Sequence, residues 1–222
     1  MNGYAEVIFD VEDDFGKRAS SKEWSLLLSK LVIPMPAVKT KYVDISGRDG
    51  SLDMTEGFGR VYYKNREKVK LEFDYIGEYR EWNKTLSEIA NMVHGNIVRI
   101  TLDDDPEFYY RGRLELDPSK TNDVIGTVVF KGTLDPYRCK WRTTTQTVTV
   151  DGVQAVLLSN LKRPVIPDLI ARGSVNLIID DAAVAVAEGK SQNADLILYA
   201  GENLVYVSGS GEITFEYQEA GL

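Results

Sequence analysis

A chain of 222 residues with 43% hydrophobic and 27% charged side chains holds enough apolar material for one large or two small packed domains, which excludes the disordered and fibrous classes. Its 34 acidic residues against 26 basic ones leave a formal charge of −8, which argues against tight binding to nucleic-acid phosphates, a task that needs clustered Lys and Arg. One cysteine, Cys139, and one histidine, His94, exclude an internal disulfide and a Cys/His zinc cluster. The opening stretch MNGYAEVIFDVEDD has neither a basic region nor a long apolar run, and no segment reaches the ~18 apolar residues of a membrane span. The expectation is a chain made in a cytoplasm, soluble there, with no membrane insertion.

Residues 4–10 alternate as a short strand and run into the carboxylates Asp10, Glu12, Asp13 and Asp14. These lack the Asp-x-Asp-x-Asp-Gly spacing of a calcium loop, so they read as a solvated acidic loop. From Ser20 to Pro36 two periods compete. Trp24, Leu27, Leu28 and Leu31 suit a helix behind a Ser20-x-x-Glu23 capping box, whereas Trp24, Leu26, Leu28 and Val32 suit a strand. The Ile33-Pro34-Met35-Pro36 ending favours the strand, because residues before proline avoid helical angles.

Gly47-Arg48-Asp49-Gly50 invites a phosphate-loop reading. That motif requires Gly-x-x-x-x-Gly-Lys-Ser/Thr opening a helix, and the residues after Gly50 are strand-like, so a tight turn between strands is expected. Beyond it, Val69, Leu71, Phe73 and Tyr75 alternate with Lys68, Lys70, Glu72 and Asp74, the period of a sheet with one buried and one wet face. Residues 79–94 form the one convincing helix: Tyr79, Trp82, Leu86, Ile89, Ala90 and Val93 share a face, Gly95 terminates it, and His94 sits in the last turn as a cation on the helix dipole. Strands are expected over 96–102, 108–116 and 124–134, the first two joined by a turn at Asp103-Asp104-Asp105-Pro106-Glu107.

The pattern breaks at Asp135-Pro136-Tyr137, and basic Arg138, Lys140 and Arg142 come next. This places one domain over 1–140 and a second over 141–222. In the second, strands over 145–150 and 153–158 flank Asp151-Gly152 as a hairpin, and a proline-bearing crossing occupies 161–167. Further strands are expected near 169–171, 174–179, 183–187, 194–199, 203–207 and 212–217. Turns at Gly173, Asp180-Asp181, Gly189-Lys190, Gly201-Glu202 and Ser208-Gly209-Ser210-Gly211 separate them. Such spacing describes an antiparallel β-sandwich of about 75 residues. The fold class is therefore mainly β with one helix: a β-barrel-like or split-barrel N-terminal domain carrying the helix, then a β-sandwich.

No nucleophile elbow, Cys-His pair or metal cluster is legible, so no catalytic residue, cofactor or metal is assigned and the chain is not expected to be an enzyme. A carbohydrate-binding, lectin-like module is the alternative, since a sandwich offers flat aromatic platforms. Trp24, Trp82 and Trp141 precede it or lie at the boundary, leaving Tyr199, Tyr206 and Tyr217.

The order of several short motifs resembles the distal tail protein (Dit) family of long-tailed, siphovirus-type bacteriophages and prophages, over nearly the whole chain. They are Gly47-Arg48-Asp49-Gly50-Ser51-Leu52-Asp53, Tyr63-Lys64-Asn65-Arg66, the helix at 79–94, Asp135-Pro136-Tyr137, Pro164-x-x-Pro167 and Leu198-Tyr199-Ala200-Gly201-Glu202-Asn203. The resemblance implies a virion protein of the tail tip, assembled in the host cytoplasm as a homohexameric ring. That ring would be a baseplate hub between the tail-tube protein and the tail-tip or tail-associated lysin protein. It also implies a galectin-like C-terminal sandwich that in some phages carries receptor-binding or baseplate proteins. On this reading Arg48, Asp49 and Arg66 are assigned to the subunit interface. Asp13, Asp14 and Asp104 are assigned to an acidic lumen that repels a transiting DNA.

Overall fold

The computed structural model describes residues 5–12, 17–121 and 125–222. By internal contacts the chain divides into two units, Met1–Pro136 and Tyr137–Leu222.

The first unit contains β1 (Val7–Val11), β2 (Arg18–Ser20), β3 (Leu26–Val32), β4 (Tyr42–Asp44), β5 (Ser51–Asp53), β6 (Arg66–Tyr75), α1 (Trp82–Val93), β7 (Ile97–Leu102), β8 (Phe108–Thr121) and β9 (Ile125–Leu134). Seven of these strands form an antiparallel sheet in the order β2-β1-β7-β8-β9-β6-β3, while β4 and β5 pair only with each other. The consecutive strands β2 and β3 lie at opposite ends of that order. A flat sheet would set them roughly 29 Å apart, further than the roughly 20 Å that the chain from Ser20 to Leu26 can span. The sheet therefore curls until its edges approach, which makes it barrel-like.

The connection that imposes this closure contains a capping box without its helix. The Ser20 N–H donates to Glu23 Oε2 at 3.1 Å and the Glu23 N–H donates to Ser20 Oγ at 3.3 Å. The pair caps a single turn, because Ser25 takes φ 54° and turns the chain into β3. The competition between helix and strand over 20–36 ends in a strand, with the helical signal confined to its first turn.

Inside the curl, Phe9, Phe73 and Phe130 are fully buried, with Phe9 and Phe130 centroids 5.0 Å apart and Phe73 edge-on to Phe130 at 5.6 Å. Helix α1 covers this core through Trp82, Ile89 and Val93. Its Trp82 stands T-shaped on Tyr75 at 5.2 Å and presses on Gly126, where an added Cβ would come within 2.3 Å of the indole. Two expectations for the helix need correction. Residues 79–81 are a 3-10 turn with Tyr79 exposed, so the α-helix begins at Trp82. His94 is extended rather than helical, bridges to Leu114, and accepts the Leu116 N–H on Nδ1 at 2.9 Å, so its side chain serves the sheet rather than the helix end.

The second unit contains β10 (Arg138–Lys140), β11 (Thr144–Asn160), β12 (Asp168–Ile179), β13 (Ala182–Ala185), β14 (Gly189–Gln192), β15 (Gly201–Tyr217) and β16 (Ala220–Gly221). Here the expected short strands merge. Asp151-Gly152, Gly173 and Ser208-Gly209-Ser210-Gly211 make no hairpins; each lies within one long strand, and β11, β15 and β12 pair continuously through them. Gly152 faces Gly209 and Gly173 faces Gly211 in register, all with positive φ. This seam bends three paired strands together, where hairpins would have ended them. The unit has no helix, so the bent sheet closes over its own apolar face: Val150, Leu169, Ile213 and Phe215 from one side of the seam share a core with Val156, Leu158, Val175, Leu177, Val205 and Val207 from the other. Gly189-Lys190, expected as a turn, begins β14. The expected strand at 194–199 is reduced to a bridge between Leu198 and Val165.

Candidate functional site

Between Pro36 and Arg66 no residue is buried. The segment is a two-stranded arm leaving the barrel. Its root is tied by Lys64 N–H to Ala37 O at 2.7 Å and Lys39 N–H to Tyr62 O at 2.8 Å. Met54 N–H to Lys41 O at 2.7 Å holds its middle, and β4 with β5 forms its outer part around the Ile45–Gly50 turn. The Gly47-Arg48-Asp49-Gly50 turn is thus a turn between strands, with Gly47 and Gly50 at φ 81° and 72°. Arg48 and Asp49 are exposed at its tip.

Among its charged and glycine residues the arm also exposes large apolar side chains. Phe58 is 81% exposed and Tyr42 61%, Val38, Val43, Ile45 and Met54 add further uncovered apolar surface, and Met35, 75% exposed, lies just before the arm. Scattered apolar residues are ordinary on a surface, and this many on one arm without a core of its own make it the candidate contact surface.

Arg66, assigned to the same interface from the sequence, is placed differently. It is 2% exposed. Its Nη1 donates to Pro34 O at 2.9 Å and its Nε to Pro136 O at 3.1 Å, with the guanidinium 5.3 Å from the Tyr110 ring. Arg66 therefore braces the root of the arm from inside its own subunit. The signal that hides this is a β-bulge: β6 holds one more residue than β9 between Arg66 and Val69, with Lys68 at φ 61°. The extra residue puts Arg66 on the buried face with Val69, against strict alternation.

The acidic N-terminal stretch is also not simply solvated. Arg111 donates from Nε to Glu12 Oε1 at 2.9 Å, from Nη2 to Glu12 Oε2 at 2.6 Å and from Nη1 to Asp135 Oδ2 at 3.0 Å. Arg99 lies 3.5 Å from both Asp10 and Glu12. Hydrogen bonds from Arg111 hold the Glu12 carboxyl below the usual carboxylate range against the opposing effect of burial, and the same contacts raise Arg111. Asp13 and Asp14 lie outside the described residues; Asp104 is exposed in the turn between β7 and β8. Among the described residues no group of three or more His, Cys, Asp or Glu is arranged to hold a metal, and no helix is long and apolar enough to cross a membrane. Of the tyrosines considered for sugar stacking, Tyr217 is buried with its hydroxyl donating to Ser159 O at 2.6 Å, while Tyr199 and Tyr206 are exposed.

No protein-family model matches the sequence, and no curated protein matches it significantly. Among solved structures, the chain is similar to the SPP1 Dit (gp 19.1) protein, described as a paradigm of the hub adsorption apparatus in phages infecting Gram-positive hosts. The likeness covers 96% of this chain and 98% of that one, with a TM-score of 0.66 and 13% identity. Chains of the phage P2 baseplate in its activated conformation, with Ca and with Sr, align over 97% and 98% of this chain and 98% of theirs, at 9% identity and TM-scores of 0.43. From its first strand to its last, the chain has the fold of a phage Dit hub protein.

Proposed function

We propose that this chain is a structural hub of a phage tail tip. It forms a homohexameric ring that joins the tail tube to the tail-tip or tail-associated lysin protein, leaves a passage for DNA, and presents its C-terminal sandwich to receptor-binding or baseplate proteins. The reading is supported by the end-to-end likeness to SPP1 Dit, which spans both units and leaves almost none of either chain unmatched. No chemistry is assigned; the chain acts by shape and self-association.

The arm is the element that such a ring needs. A closed ring uses one patch of each subunit against a different patch of the next. An exposed hairpin bearing Phe58 and Tyr42, with Met35 beside its root, supplies one of those patches. Arg48 and Asp49 at its tip meet the neighbouring copy, while Arg66 contributes by holding the arm's direction. Asp104 faces the passage and repels phosphate.

Native mass spectrometry of the full chain, alone and co-expressed with the products of the adjoining reading frames, tests the reading. A closed six-membered species of roughly 150 kDa is expected from a 24.9 kDa chain, with six-fold images in negative stain. A chain that stays monomeric at every concentration and with every such product overturns it.

A further inference from the structure

The outward face of the C-terminal sheet is divided by the glycine seam into two halves of opposite character. On one side the rows across β11, β15 and β12 read Thr145-Glu216-Asp168, Thr147-Thr214-Ile170 and Thr149-Glu212-Arg172. Their charges are neutralised: Lys190 lies 2.9 Å from Asp168 and 3.3 Å from Glu216, and Arg172 lies 3.9 Å from Glu212. On the other side the rows read Val153-Ser208-Asn176, Ala155-Tyr206-Ile178 and Leu157-Leu204, with no charge at all. Val153 is 70% exposed and Leu204 56%.

This apolar half adjoins an unfinished edge. β11 pairs with β15 on one side only, and among the described residues no backbone hydrogen bond reaches its other side. Long edges are normally blunted by lysine, proline or short length. β11 has seventeen residues, no lysine and no proline, and one charge, Asp151. Thr149 O takes the Gln154 side-chain amide at 2.8 Å, and the rest of this edge is a template on which another extended backbone can pair. The carboxylates bordering this half say whose. Asp151 on β11 and Glu202, which pairs with Ser159 from the neighbouring strand, are exposed and form no ion pair among the described residues. A second copy would bring like charges onto this rim, whereas a strand flanked by Lys or Arg neutralises it.

We infer that the edge of β11 and its apolar outer half form a docking site for an extended segment of a different protein. That segment adds to the sheet as a strand, with apolar side chains on Val153 and Leu157 and basic residues at its ends. The inference does not depend on ring formation.

The probe is a labelled twelve-residue peptide of alternating Val and Thr with two Lys at each end, compared with one ending in Glu, measured against the full-length chain by fluorescence anisotropy and amide hydrogen exchange. The Lys-ended peptide is expected to bind, to weaken as salt rises, and to protect amides of β11. The double variant V153A/L157A weakens it about tenfold, the loss of roughly 1.4 kcal/mol of apolar contact. D151N with E202Q abolishes the salt dependence. Because all four positions are exposed, unchanged melting of the variants confirms that the fold is intact. Absence of binding, equal binding of the Glu-ended peptide, protection outside β11, or protection of β11 by rising protein concentration alone, which signals a second copy, each overturns the inference.

Discussion

Arg66 and Pro34 are joined by a hydrogen bond of 2.9 Å from the guanidinium to the carbonyl that precedes the arm. The same side chain holds Pro136, the last residue of the first unit, through Nε at 3.1 Å. One buried arginine thus fixes both the departure of the arm and the end of the barrel unit. Its planar fork lets it reach in two directions, which a lysine ammonium on one stem does not do as well.

Replacing Arg66 by Ala leaves two carbonyls without their charged donor and a hole beneath Tyr110. The expected cost is about 3 kcal/mol of stability, with R66K intermediate. Chemical denaturation measures the loss, and amide exchange is expected to quicken over 37–64 before the rest of the unit.

Glu12 carries a pH signature. Its folded pKa is depressed by Arg111, so its contribution is complete above the ordinary carboxylate pKa and is lost as pH falls through the depressed folded value. E12Q is expected to lower stability at neutral pH and to flatten the acid limb of a melting-temperature profile. An acid limb of unchanged slope in E12Q would show that other carboxylates carry it.

At the seam, a Cβ on Gly209 would lie 2.1 Å from the Ser174 carbonyl oxygen, and the residue's φ is 120°. G209A therefore meets both a backbone clash and a conformation that L-residues avoid, at a cost on the order of 3 kcal/mol or more. Gly47 has open space around it, so G47A is expected to cost only about 1 kcal/mol of local turn strain. Comparing the two by thermal melting separates seam from turn.

Phe58 is 81% exposed, so F58D is expected to leave the monomer's melting temperature unchanged and to weaken assembly of the proposed ring about tenfold in protein concentration. Assembly of F58D at the wild-type concentration, measured by analytical ultracentrifugation, removes the arm from the interface.

Much of the barrel was legible because its signals are local. Val69, Leu71, Phe73 and Tyr75 bury as their alternation requires, and the strands expected over 96–102, 108–116 and 124–134 appear within a few residues. Glycines were misread in the second unit for a physical reason. Asp151-Gly152 fits a hairpin locally, and only the registered partners Ser210 and Gly209, over fifty residues away in the chain, convert that flexibility into a shared bend. The arm's turn was visible at Gly47–Gly50, but its lack of any core was not, since exposure depends on what the rest of the chain does not cover.

The sequence by itself determined the strand-rich class, the position of the helix and, with its single cysteine, that no disulfide forms within the chain, because periodicity acts over neighbours and residue identity is local. Only the tertiary structure decided that Arg66 is buried, that Glu12 is held by Arg111, and that three long strands bend as one. Each of those depends on register between distant strands, and a single inserted residue, as at Lys68, reverses which face a side chain meets.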